Sequence, residues 1–122
     1  MLTFTLMKPE GILRLHPSGP LTEQDFERLR TEVDAYLMGH ARLNGVLVRA
    51  AEFPGWENWA GFSAHMHFVH AHHKRVERIA LVTDSAVAGL GEFLAEHFTS
   101  AEVRRFPLAD ERLAMQWLQA AS

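Results

Sequence analysis

Two short apolar runs, Val46-Leu-Val48 and Val76-Glu-Arg-Ile-Ala-Leu-Val82, constrain the fold more than any other feature. Such runs belong to strands buried on both faces of a sheet, and a sheet covered on both faces needs helices above and below it. The flanking segments supply them. Thr22 is a helix cap, with Glu23 and Asp25 in the first turn, where carboxylates suit the macrodipole. Phe26, Leu29, Val33 and Tyr36/Leu37 then recur at helical spacing until Gly39. A second helix is predicted from about Glu57 to about His73. Val87, Leu90, Leu94 and Phe98 mark a third, behind Thr83-Asp84-Ser85, and Asp110 caps a fourth that carries Leu113, Ala114, Trp117 and Leu118.

Leu2 to Met7 and Ile12 to His16 alternate on either side of Pro9-Glu10-Gly11 and predict an opening hairpin. Glu102 to Phe106 reads as a last, edge-like strand, stopped by Pro107. Strands alternating with helices predict an α/β domain with right-handed crossovers, its sheet mixed because of the hairpin. The length of 122 residues suits one such domain, 1–122, and leaves no room for a second core.

Composition removes several classes of function. With no cysteine, disulfide scaffolds, Cys-ligated zinc, Fe–S clusters and thiol chemistry are excluded. A net charge of -3 argues against a nucleic-acid partner, which calls for a concentrated positive field. No stretch approaches the roughly 20 apolar residues of a transmembrane segment, and the first residues lack the pattern of a signal peptide, so a cytoplasmic protein is expected.

The order of several short motifs resembles a known family. After the hairpin come Gly19-Pro-Leu-Thr22, Phe53-Pro-Gly-Trp56, Glu77-Arg-Ile-Ala-Leu-Val-Thr-Asp84, Ala101-Glu-Val-Arg-Arg-Phe-Pro107 and Ala114-Met-Gln-Trp-Leu118. Together they resemble the SpoIIAA-like family of small bacterial STAS-type proteins. The resemblance implies a SpoIIAA/STAS-like mixed sheet of about five strands with about four helices, and no established catalytic activity. Related anti-anti-sigma factors are switched by phosphorylation of a serine in the loop after the third strand. Here that loop, Val48 to Trp56, holds no Ser or Thr, so the switch does not carry over.

Eight histidines are present, five of them between His65 and His73. On a helical wheel they separate two apolar faces. Trp59, Phe62, Met66 and Val69 form the stripe expected to pack on the sheet. Gly61, Ala64, Phe68 and Ala71 form the other, rimmed by His65 and His72, and are expected to meet a neighbouring helix or a second subunit. In the second case, protonation below about pH 6 is expected to weaken association. No two of these histidines are four residues apart and no acid lies between Glu57 and Glu77, so neither a metal site nor a cofactor is expected.

Phe53, Trp56, Trp59 and Phe62 crowd the region after the third strand, where open α/β sheets place ligands. They read either as the mouth of a site for a small apolar, lipid-like ligand or as rings covering the sheet edge. No nucleophile elbow or phosphate loop is present, since Gly89 and Gly91 fall inside a helical pattern. Arg75, Arg78, Arg104 and Arg105 are offset by Glu77 and Glu102. The expectation is a non-catalytic regulatory or protein-interaction module, a homo-oligomer, with apolar-ligand binding as the alternative.

Overall fold

The computed structural model describes residues 1–52, 54–84 and 100–121. Strand β1 (Leu2–Met7) turns through Gly11 into β2 (Ile12–Pro17). Gly11 has φ +68°, which favours glycine, and its amide donates to the Met7 carbonyl at 2.9 Å. Helix α1 (Glu23–Leu37) crosses to β3 (Leu43–Arg49), and helix α2 (Trp59–His72) crosses to β4 (Val76–Val82). The chain continues with β5 (Glu102–Phe106) and helix α3 (Glu111–Gln119). The expected helix at Val87–Phe98 lies outside the described residues.

Sheet order is β1-β2-β3-β4-β5, with β1 antiparallel to β2 and every later pair parallel. The mixed α/β architecture expected from the sequence is therefore present. Helices α1 and α2 share one face of the sheet, where Leu13, Leu29, Val33 and Leu43 are fully buried. Helix α3 covers the other face with Ala114 and Leu118, against Ile12, Leu47, Ala80 and Val82. Gly45 lets α3 come close, because a Cβ there would stand 2.7 Å from Leu118 Cδ2.

The first cap is as expected. Thr22 Oγ1 accepts from the Asp25 amide at 3.1 Å, and the Asp25 carboxylate accepts from the Thr22 amide at 2.9 Å. Burial by itself would raise the Asp25 carboxyl, but bonds from the Thr22 amide, Arg28 and the N-terminal ammonium hold it below 3.8.

The packing of α2 corrects the expectation. Trp59 and Met66 face outward, whereas Gly61, Phe68 and His72 face inward onto α1 and the sheet. The reason is steric. A Cβ at Gly61 would lie 2.5 Å from the Leu21 carbonyl oxygen, so only the glycine face can approach this closely.

Candidate functional site

The loop before α2 is pinned to the segment before α1. The Leu21 amide donates to the Gly55 carbonyl at 2.8 Å, and the Glu57 amide donates to the Leu21 carbonyl at 2.9 Å. Gly55 has φ +80°, a conformation that favours glycine, and the turn it makes delivers Trp56 beside α2. Asn58 starts the helix by accepting from the Gly61 amide at 3.0 Å.

These constraints gather the aromatic residues singled out in the sequence. Trp56 meets Phe62 edge-on at 4.8 Å between ring centroids, and Trp59 meets Phe62 at 5.1 Å. Trp56 Nε1–H donates to His65 Nδ1 at 3.1 Å, and the His65 ring stacks on Phe26 at 4.8 Å. Phe26 contacts Phe68, and Phe68 stacks on His72 at 4.2 Å. A continuous ladder of rings thus runs from the surface to the α1–α2 interface. Phe53 lies outside the described residues.

The surface end of the ladder is open. Trp59 is 76% exposed, Met66 40% and Trp56 37%. The inner end is polar, with His72 buried. His72 donates from Nδ1 to the Phe68 carbonyl at 2.8 Å, and its Nε2 faces Asp34 Oδ1 at 2.7 Å. Oxygen acceptors at both ring nitrogens orient the imidazole fully. Burial lowers the His65 pKa to about 4, and the Trp56 bond requires an unprotonated Nδ1, so both effects hold this ring neutral.

Of the six residues expected at a subunit contact, Gly61 and His72 are buried, Ala64, His65 and Phe68 are half-buried, and Ala71 alone is exposed. Their face is occupied by α1 and the sheet of the same chain. The exposed stripe is instead Trp59, Met66, His67 and His70. Among the described residues no group of three or more His, Asp and Glu side chains is arranged to hold a metal ion.

A second concave region, on the opposite face of the sheet, went unnoticed in the sequence. Arg14, Arg49 and Glu111 meet there, with Glu111 Oε2 2.5 Å from Arg14 Nη2 and Oε1 2.8 Å from Arg49 Nε. The alternation in β2, which puts Arg14 and His16 on one face, was the available signal. Nothing in the sequence joins them to Glu111, a partner 97 positions from Arg14. Arg75 is one of the four arginines that the sequence shows offset by Glu77 and Glu102. Its guanidinium closes the end of α1 instead, donating to the carbonyls of Leu37, His40 and Ala41.

The pattern that defines the SpoIIAA-like family matches residues 12–119. The chain belongs to the SpoIIAA-like family. This SpoIIAA-like chain also resembles a crystal structure of an uncharacterised protein of the DUF3478 family, with a SpoIIAA-like fold, from Shewanella loihica PV-4. The TM-score is 0.78 at 21% identity, over 96% of this chain and 93% of that one. At that identity the likeness is one of fold. Comparison with curated proteins gives no match. Among the described residues no helix of the SpoIIAA-like chain is long and apolar enough to cross a membrane.

Proposed function

We propose that this SpoIIAA-like chain is a non-catalytic regulatory or protein-interaction module of the cytoplasm, and that its contact surface is the outward face of α2. The observation that carries this reading is Trp59, a large apolar ring 76% exposed and braced by Phe62, which in turn meets Trp56. Ordering such a ring before contact lowers the entropy lost on binding. Exposed aromatic anchors of this kind are enriched where proteins meet.

The partner is a second copy of the chain. Glu57 precedes α2, whereas His67, His70 and Lys74 lie toward its other end, with no acid between Glu57 and Glu77. Two such helices packed antiparallel about a two-fold axis bring each acidic end to the partner's basic end. The loop from Val48 to Trp56 has no phosphorylatable Ser or Thr, so control by the relatives' serine switch is not part of this reading.

Sedimentation velocity on the intact chain tests it. A dimer that Trp59→Glu converts to a folded monomer, by circular dichroism, is the expected result. A wild-type monomer at high concentration overturns it. The contact of Trp56, Trp59 and Phe62 favours one second reading, a surface for a small apolar ligand. Native mass spectrometry that finds a co-purified lipid on the monomer would select that reading.

A further inference from the structure

Among the described residues, α3 covers only part of its sheet face. Helix α3 lies over β3, β4 and β5, and beside its first turn a groove of about 430 Å³ is left against β1 and β2. Thr5, Arg14 and His16 line it from the hairpin, Leu47 and Arg49 from β3, and Glu111 from α3. Leu47 is fully buried and forms an apolar floor.

The charged groups in this groove do not cancel. Two guanidinium groups share the single carboxylate of Glu111, which touches Arg14 through one oxygen and Arg49 through the other. Each guanidinium has five N–H donors, so about ten donors meet a carboxylate with about four acceptor positions. Among the described residues in this group one positive charge is left over. Arg14 Nε is buried and has no hydrogen-bond acceptor among the described residues. Arg49 is exposed at the groove edge.

We propose that this groove binds a small organic anion and that Arg14 and Arg49 hold its carboxylate or phosphate group. Planar guanidinium forks match both kinds of oxyanion in a two-pronged way that a single ammonium does not. The Thr5 hydroxyl and the His16 imidazole add polar contacts on the hairpin side. A volume of 430 Å³ holds more than a bare inorganic ion and falls in the range of small-molecule sites. Glu111 shows the binding mode with the chain's own carboxylate, and it also competes with the ligand for the same donors. The site is on the opposite side of the sheet from Trp59 and is independent of self-association.

Nuclear magnetic resonance on the intact, isotope-labelled chain tests the proposal with two probes, inorganic phosphate and citrate, against sodium chloride at matched ionic strength. The expected result is a saturable shift of the arginine Nε–H signals and of the Thr5, Arg14, His16 and Arg49 amides. Arg49→Gln, at an exposed position and with its fold checked by circular dichroism, weakens the probe about tenfold by removing one charge-assisted contact. Glu111→Gln removes the competing carboxylate and tightens it about threefold. Saturation by phosphate alone assigns a phosphoryl ligand, by citrate alone a carboxylate, and by both an oxyanion site open to either. Shifts that never saturate, that sodium chloride reproduces, or that Arg49→Gln leaves unchanged overturn the proposal.

Discussion

A methyl group at Gly61 has nowhere to go, because the obstacle 2.5 Å away is backbone, the carbonyl oxygen of Leu21. Gly61→Ala is expected to destabilise the chain by about 1–3 kcal/mol, the cost typical of overpacking. Gly39→Ala, with nothing within 4 Å of the added carbon, should change stability by less than about 0.5 kcal/mol. Urea unfolding of the two variants makes the comparison. His65 gives a prediction in pH. The unfolded imidazole takes up a proton near 6.5, whereas the folded one resists until about 4. Stability therefore falls as pH drops through that window, by up to about 1.4 kcal/mol per pH unit, and this contribution levels off below it. His65→Gln should flatten the dependence between pH 6.5 and 4. Asp25 acts lower: its folded carboxyl is held under 3.8, so its stabilisation is present above that value and is lost as pH falls further.

The elements differ in how much of them the sequence revealed, and the reason is physical. Strands β4 and β5 were legible to the residue, since Thr83 ends the apolar run of the first and Pro107 stops the edge-like second, leaving little choice of boundary. Helix α1 was legible because its polar face and its apolar face are distinct, and Thr22 with Asp25 closes its start. Helix α2 carries apolar residues around most of its circumference, so periodicity located the helix without orienting it. Its orientation depends on the approach of Gly61 to Leu21, a contact between segments that sequence spacing does not encode. The same limit hid the Arg14–Glu111–Arg49 group, which only the packing of α3 assembles. The aromatic cluster was legible because Trp56, Trp59 and Phe62 are close in the chain. The start of α2 supplies its own test. Asn58→Ala removes the side-chain acceptor for the Gly61 amide and should cost about 1 kcal/mol, measured by thermal or urea unfolding.

At the scale of the molecule, the two sheet faces divide the labour. One side joins α1, α2 and the ring ladder, and presents Trp59 outward; the other side joins α3 to a polar groove. If two chains meet through α2 in the antiparallel sense, charge steers them and an apolar contact retains them. Raising the salt from about 0.1 M to about 1 M shortens the screening length from about 10 Å to about 3 Å. Association should then slow, while the complex, once formed, dissociates at nearly its low-salt rate. Stopped-flow mixing of labelled chains measures both rates. Equal slowing of association by salt in Glu57→Gln and in the wild type would contradict the role given to that charge.

The order of strands in the sheet is also their order in the chain. No strand has to be inserted between two others that are already paired. During synthesis, the β1–β2 hairpin is delivered first, and each later parallel strand finds the growing edge waiting after a single crossover. Assembly can therefore follow the emergence of the chain from the ribosome, with one exposed edge advancing a strand at a time. Sealing of the second face follows completion of the sheet, because α3, which covers Ile12 and Leu47, comes after all five strands in the chain.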